Sequence, residues 1–161
     1  MTRRYAVNGR KLASKPYHYR ECGLDDVYLL NGYKRHKTPY GSGVAIENME
    51  NLHEAIARSL CLTKAFLNGK EIRFLRKLMD LTQSDLSTFM GCDVQSVARW
   101  EKGQSEIHGA ADRLLRILYL GSRSSEIEPA DFIKKLTALD AKINDRQVFE
   151  ETDEGGWKQA A

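Results

Sequence analysis

The chain has 161 residues, a formal net charge of +3 and 42% hydrophobic residues. This composition is typical of a globular protein that buries a core without metals or disulfides. The chain has no apolar run of membrane-spanning length, and its basic N-terminus lacks the apolar stretch of a secretory signal. Three cysteines without a CxxC pair favour a reducing compartment. We therefore expect a cytoplasmic protein without a membrane partner.

Charge is distributed unevenly along the chain. Residues 1–40 carry nine Lys and Arg against three Asp and Glu, whereas residues 126–161 carry five against nine. The basic part is compatible with a polyanionic partner, and a solvated surface explains it equally well. Residues 1–16 show little apolar periodicity, which predicts a mobile basic arm.

Residues 17–47 have the pattern of a small β unit. Residues 27–30 are a strand-forming run, Asn31-Gly32 is a typical two-residue hairpin turn, and residues 33–36 are the expected returning strand. Residues 44–46 are expected to add a third strand. The tyrosines of this region favour either a small β core, which we prefer, or an interaction surface. They are Tyr17, Tyr19, Tyr28, Tyr33 and Tyr40.

Apolar residues at one-turn spacing predict helices through most of the remaining chain. Leu52, Ile56 and Leu60 mark a helix that Asn48 can cap, and residues 70–80 form the next helix. Residues 109–121 predict a helix that stops at Gly121. A further amphipathic helix is predicted over 129–144, followed by a terminal hairpin within 147–161. We accordingly divide the chain into segments 1–16, 17–67, 68–121 and 122–161.

The stretch LTQSDLSTFMGCDVQSVARWEKG, residues 81–103, predicts two short helices joined by a tight turn. Thr82 can cap the first helix and Asp93 the second. Gly91 stands where the backbone needs a left-handed residue to turn sharply. Leu86 and Met90 on the first helix, with Val97 and Trp100 on the second, are expected to pack together, and Cys92 is expected to be buried between the helices.

This packing leaves a continuous stripe on the outer face of the second helix, formed by Val94, Gln95, Ala98, Arg99 and Lys102. An amide can pair with adenine, a guanidinium with guanine, and small apolar groups can contact the thymine methyl in a major groove. The alternative, two core helices with a solvated face, explains the turn glycine, cap and buried pair less well.

Taken with the preceding IRFLRKLMD, this stretch resembles the helix-turn-helix of Xre/Cro/cI-type repressors over residues 69–121. The resemblance implies an all-helical bundle that usually binds a near-palindromic site on double-stranded DNA as a homodimer. By position, it implies base contacts from Val94, Gln95, Ala98 and Arg99, with Ser96 a weaker candidate. Gln83 and Lys102 match phosphate-contacting positions, whereas Trp100 and Glu101 match the structural end of the helix.

The motif itself is barely basic, because residues 69–103 hold six Lys and Arg against five Asp and Glu. Attraction to phosphates must therefore come partly from elsewhere. The N-terminal arm, in particular Arg3 and Arg4, can supply it by lying along the backbone or in a minor groove. A solubilising tail is the equally weighted alternative for this arm.

The layout of a β unit before such a motif is similar to that of MqsA-type antitoxins, which bind a toxin protein and zinc through their N-terminal half. The paired CxxC motifs of that family are absent here. His18, Cys22 and His36 are scattered, and we interpret them as structural and surface residues, so that neither a metal nor a cofactor is predicted. An antitoxin that binds a toxin through residues 17–67 and autoregulates its operon remains the alternative function.

No hydrolase, metalloprotease or nucleotide-binding motif is present in the sequence, so we do not expect an enzyme. The predicted fold is mainly α, an Xre-type bundle with a small N-terminal β unit, and therefore α+β overall. The predicted function is that of a sequence-specific DNA-binding transcriptional regulator, acting as a homodimeric repressor that reads the major groove with residues 93–102.

Overall fold

The structure is a computed structural model and describes residues 5–7, 10–12, 15–123 and 147–160. Side chains are described from residue 15 onward. The chain divides into two compact units, which are Met1–Ile56 with Asp145–Ala161, and Ala57–Asn144. This division differs from the segments expected from the sequence, because the C-terminal tail belongs with the first unit.

The first unit is built mainly from short strands. They are β1 (Tyr5–Val7), β2 (Arg10–Leu12), β3 (Tyr17–His18), β4 (Val27–Leu29), β5 (Tyr33–Thr38), β6 (Gly41–Ile46), β7 (Gln147–Glu151) and β8 (Trp157–Gln159). They form two antiparallel pairs, β1-β2 and β5-β6, and one four-stranded sheet in the order β3-β4-β7-β8. The expected arm at residues 1–16 thus contains two paired strands.

The hairpin predicted around Asn31-Gly32 is wrong. Gly32 does have a positive φ of 73°, but β4 pairs with β3 and, in parallel, with β7, whereas β5 pairs with β6. The Asn31 side chain is hydrogen-bonded to the backbone of Glu151. A Cβ at Gly32 would lie 2.3 Å from the ring of Trp157. These distant contacts, rather than a local turn, direct the chain here.

The terminal hairpin is confirmed, since β7 and β8 pair antiparallel. The hairpin is also part of the core of the first unit, because the Phe149 side chain is fully buried and the Trp157 side chain is almost fully buried. The Trp157 indole N–H donates to the Glu47 carbonyl at 3.1 Å, and its backbone N–H donates to the Asn51 side chain at 2.7 Å. The tail therefore completes a sheet that residues 17–47 do not form alone.

The sequence left two interpretations for the tyrosines, a small β core or an interaction surface, and the structure gives different answers for different tyrosines. Tyr19 is buried and bonds His53 at 2.9 Å, and burial raises the pKa of its hydroxyl to about 12. Tyr17 and Tyr33 are half-buried with ring centroids 5.0 Å apart. Tyr40, in contrast, is fully exposed. The core reading holds for Tyr19 and fails for Tyr40.

Five helices follow in the described part of the chain. They are α1 (Met49–Thr63), α2 (Gly69–Leu78), α3 (Gln83–Met90), α4 (Val94–Glu101) and α5 (Gly109–Arg123). The boundary between the two units falls within α1, after Ile56. Leu52, Ile56 and Leu60 are fully buried, as their spacing predicts. The observed helices and strands confirm the α+β fold class. The predicted helix over 129–144 lies outside the described residues.

The start of α2 is set by a capping residue just before the helix. Asn68 is the N-cap of α2, and it forms a capping box with Glu71. Glu71 is buried and lies 3.0 Å from the Lys64 ammonium. The spacing N-x-x-E was the available signal for this helix start.

The predicted stop at Gly121 is also wrong, because α5 continues to Arg123. The Ser122 hydroxyl donates to the Tyr119 carbonyl at 2.6 Å, and the Arg123 guanidinium donates to the Leu78 carbonyl at 2.7 Å. These contacts hold one further half-turn after the glycine. Gly121 does not have a positive φ, so it does not end the helix as a left-handed cap does.

Arg116 on α5 is fully buried in the second unit. Its guanidinium donates to the carbonyls of Cys61 and Lys64 at 3.1 and 2.6 Å, and lies 2.9 Å from the Asp112 carboxylate. Asp112 in turn accepts the backbone N–H of Leu67. Since α1 has no basic residue in its last turn, Arg116 supplies the positive charge that stabilises that helix end.

We predict that Arg116→Met lowers the free energy of unfolding by about 3–5 kcal/mol, because it leaves the Asp112 carboxylate buried without its partner. Chemical denaturation monitored by circular dichroism measures the change. The control is Arg58→Met on the exposed face of α1, for which we expect a change within about 0.5 kcal/mol. Equal stability of the two variants would contradict the role given to Arg116.

Candidate nucleic-acid interface

Helices α3 and α4 are joined by the turn that the sequence predicted. Thr82 is the N-cap of α3 and forms a capping box with Asp85. Gly91 ends α3 in the left-handed conformation, with φ 63° and ψ 35°. Asp93 caps α4 by accepting the backbone N–H of Gln95 at 2.9 Å. All three predicted turn and cap residues are confirmed, and together they set the change in direction between the helices.

The inner side of α4 packs into the second unit as expected. Val97 is fully buried, Trp100 is 6% exposed, and Leu86 of α3 is fully buried. Met90 is half-buried. Cys92 is half-buried rather than buried, because it lies in the turn beyond the last residue of α3. The packing fixes which side of α4 remains on the surface.

The outer side of α4 presents the predicted stripe to solvent. Val94 is 42% exposed, and Gln95, Arg99 and Lys102 are exposed, while Ala98 is half-buried. The Arg99 guanidinium lies 3.4 Å from the Gln95 side-chain oxygen. Amide and guanidinium groups one turn apart thus form a single polar surface beside two apolar residues, and groups of these kinds can contact base edges in a major groove.

Ser96 is less well placed than the others. It is half-buried, and it follows Gln95 by about 100° around the helix, away from the centre of the stripe. Its assignment to DNA remains the weakest of the base-contacting predictions.

The predicted phosphate-contacting residues have different surroundings. Lys102 is the C-cap of α4 and is exposed, which leaves its ammonium on the surface beside the stripe. Gln83 is the first residue of α3, and its side-chain amide donates to Glu101 at 2.8 Å. A phosphate contact from Gln83 would therefore use the second N–H of its side-chain amide or its backbone N–H. Arg3 and Arg4 lie outside the described residues.

Glu101 is the centre of a network that connects three helices. Its carboxylate accepts two hydrogen bonds from Arg76 of α2, at 2.5 and 3.0 Å, and one from Gln83 of α3. Arg76 also donates to the Leu81 carbonyl at 2.8 Å. Because bidentate pairs restrict orientation as well as distance, this network positions α4 relative to α2 and α3.

Sequence reasoning placed Glu101 at the structural end of the helix but did not identify Arg76 as its partner. The two residues are 25 positions apart, so no local spacing connects them. The available signal was chemical, since a carboxylate on the inner side of a helix requires a buried cation or several hydrogen-bond donors.

The pKa of the Glu101 carboxyl depends on its contacts with Arg76 and Gln83. Burial by itself raises the pKa of this carboxyl, but the hydrogen bonds from Arg76 and Gln83 outweigh burial and hold the pKa below its ordinary value of 4.5. A carboxyl with a lowered folded-state pKa contributes stability above its unfolded pKa and loses that contribution as the pH falls. The network is therefore fully formed at neutral pH and weakens in acid.

The described residues show no group of three or more His, Cys, Asp and Glu suited to hold a metal ion. His18 stacks on Tyr28 with ring centroids 4.4 Å apart, and the Cys22 thiol contacts the Tyr19 carbonyl. Burial raises the pKa of all three cysteine thiols, to about 12 for Cys61. None of these thiols is activated for nucleophilic attack.

No helix in the described ranges is both long and apolar enough to cross a membrane.

We predict that Glu101→Gln lowers the free energy of unfolding at pH 7 by about 3 kcal/mol, because Arg76 keeps its buried charge and loses the carboxylate. The loss shrinks as the pH falls below 4.5, where the wild-type carboxyl also becomes protonated. Denaturation curves between pH 3 and pH 7 measure both effects. Glu106→Gln, at an exposed position, is the control and should match wild type throughout.

Comparison with known proteins agrees with this geometry. A family model described as helix-turn-helix matches residues 72–110, which include most of α2, all of α3 and α4, and the start of α5. The searches of curated proteins and of solved structures found no match. The match covers the two helices and the turn that carry the exposed stripe. The chain therefore carries a helix-turn-helix domain of the Xre/Cro/cI type and is a DNA-binding transcriptional regulator.

Proposed function

We propose that the chain is a sequence-specific repressor that reads the major groove of double-stranded DNA with α4. The observation that carries this proposal is the outer face of α4, where Gln95 and Arg99 are exposed and linked at 3.4 Å beside Val94 and Ala98. Solvated helix faces usually carry interspersed charges of both signs, whereas this face carries groups that match base edges.

Binding as a homodimer is the second part of the proposal. One helix of eight residues contacts the few base pairs of one half-site. Two copies on a near-palindromic operator then place their recognition helices about one turn of DNA apart. We further propose Ser96 as a marginal base contact, and Gln83, Lys102, Arg3 and Arg4 as phosphate contacts. The proposed protein acts in the cytoplasm and has no catalytic activity, metal or cofactor.

Selection of bound duplexes from a randomised DNA library, sequenced at moderate salt, tests the proposal. We expect a near-palindromic site with half-sites about 34–36 Å apart. Recovery of duplexes without a preferred sequence would contradict specific readout, and recovery of single half-sites would contradict the dimer.

Division of the chain into two units favours a second candidate function, that of an antitoxin. The first unit has its own sheet and buried core, and we assign toxin binding to this unit. This function is compatible with DNA binding, which would then serve autoregulation. Co-purification with the product of an adjacent toxin-sized reading frame tests it, and recovery of the chain with itself alone would count against it.

We predict that Arg99→Ala weakens binding to the selected operator by about 1–3 kcal/mol and relaxes the preference at one position of each half-site. Affinity for random duplexes should change much less. Arg58→Ala, at an exposed position of α1, provides the matched control. Equal losses on operator and random DNA would show that Arg99 contacts phosphate rather than a base.

We predict that Lys102→Ala weakens binding to operator and random duplexes alike and reduces the slope of log K against log salt by about 1. The reason is that a phosphate contact releases counterions without reading sequence. Fluorescence anisotropy over a salt series measures the slope, and Lys102→Arg should restore it. A change in the preferred sequence of Lys102→Ala would contradict a pure backbone contact.

A further inference from the structure

The β5-β6 hairpin concentrates positive charge in the first unit. Residues 33–46 contain Lys34, Arg35, His36 and Lys37 and no Asp or Glu. Residues 15–32, 47–56 and 147–160 of the same unit contain ten Asp and Glu against three Lys and Arg. Charge is thus unevenly distributed within the unit, in which the hairpin is one basic segment and residues 1–14, with Arg3, Arg4, Arg10 and Lys11, are another.

The basic side chains stand on a regularly paired and exposed hairpin. Six cross-strand pairs connect β5 to β6, and the Thr38 hydroxyl donates to the Gly41 carbonyl at 2.8 Å. All residues from 34 to 43 are nevertheless exposed. The outer part of the hairpin therefore contributes little to the core, and its regular pairing holds its side chains in a defined arrangement.

Two of the cations remain available to an anion. Lys34 is engaged at the base, 2.6 Å from the Glu47 carboxylate. Arg35 lies over the Tyr17 ring at 5.8 Å, a contact that leaves guanidinium N–H groups free to donate. Lys37 has no ion pair with any residue that the structure describes.

Acidic residues near the base of the hairpin contribute little to the electrostatic potential at Lys37. This residue is four positions along β5 from Tyr33, which corresponds to about 13 Å in a strand. Charges separated by more than about 8 Å in solvent are largely screened at physiological ionic strength. Residues 34–43 hold three Lys and Arg and no Asp or Glu, although the described part of the unit carries more acidic than basic residues overall.

Small residues lie opposite the basic ones. Gly43 pairs with His36 and Ser42 pairs with Lys37 across the hairpin, whereas Arg35 pairs with Val44. The two small residues leave space beside Lys37 for a ligand backbone. Tyr40 at the tip is fully exposed and adds an aromatic ring to the same surface. A two-stranded ribbon also fits the width of a DNA groove.

We propose that the β5-β6 hairpin is a second DNA-contacting element, which binds the phosphate backbone of duplex DNA through Arg35 and Lys37. This inference rests on the proposed function, since it assigns the hairpin to the same ligand. DNA is favoured over an acidic protein because residues 69–103 carry nearly equal numbers of basic and acidic residues, which leaves phosphate attraction to other parts of the chain. The hairpin offers two exposed cations, Arg35 and Lys37, for this attraction.

The test is the salt dependence of binding by the full chain to a random-sequence duplex, followed by fluorescence anisotropy. The double variant Arg35→Gln with Lys37→Gln should reduce the slope of log K against log salt by about 2, since each lost phosphate contact removes about 0.9. Arg35→Lys with Lys37→Arg keeps both charges and should keep the slope. Arg20→Gln with Lys158→Gln removes two charges from other exposed positions of the unit and should also keep it.

The outcomes separate this inference from the proposed function. A slope for the hairpin Gln variant equal to that of wild type, with operator selection intact, overturns the hairpin contact alone and directs attention to an acidic protein partner. An equal reduction in the Arg20 and Lys158 variant shows a general charge effect and also overturns it. Failure of the wild-type chain to bind any duplex overturns both. Unchanged thermal melting of each variant confirms that the exposed substitutions leave the fold intact.

Discussion

The ion pair between Arg76 and Glu101 is the constraint on which the proposed DNA-reading surface depends. A helix of eight residues is too short to hold its own orientation. The two charges are nearly buried, with side-chain exposures of 11% and 4%, so the geometry of their hydrogen bonds must be satisfied closely. Because Gln83 also donates to Glu101, one carboxylate connects α4 to both α2 and α3.

Arg116 has a comparable role at the other side of the helical unit. It brings a positive charge from α5 to the carbonyl groups at the end of α1, where the local sequence offers none. Both arginines are thus used internally, as connectors between helices. Since a buried guanidinium cannot contact DNA, the count of basic residues in this unit overstates the charge it presents to phosphate.

This internal use of charge bears on the proposed function, in which base contacts and phosphate contacts come from different residues. The stripe on α4 exposes Gln95, Arg99 and Lys102, but the motif as a whole is close to neutral. Base contacts specify a sequence, whereas phosphate contacts supply most of the sequence-independent affinity. Under the proposed function such a chain needs further cations, and our inference assigns this role to exposed positions on the β5-β6 hairpin. Specificity and affinity then depend on different residues.

The sequence by itself determined those features that rest on a few neighbouring residues. The caps at Thr82 and Asp93, the left-handed turn at Gly91 and the buried positions Leu86, Val97 and Trp100 follow from local hydrogen bonding, backbone sterics and helical spacing. The exposed stripe on α4 follows from the same spacing. Tertiary structure alone decided the features that join distant parts of the chain. The parallel pairing of β4 with β7 and the bonds between Asn31 and Glu151 replaced the expected hairpin. The partners of Glu101 and Arg116 were likewise undetectable from spacing, because a buried charge defines the chemistry of its partner but not its position in the sequence.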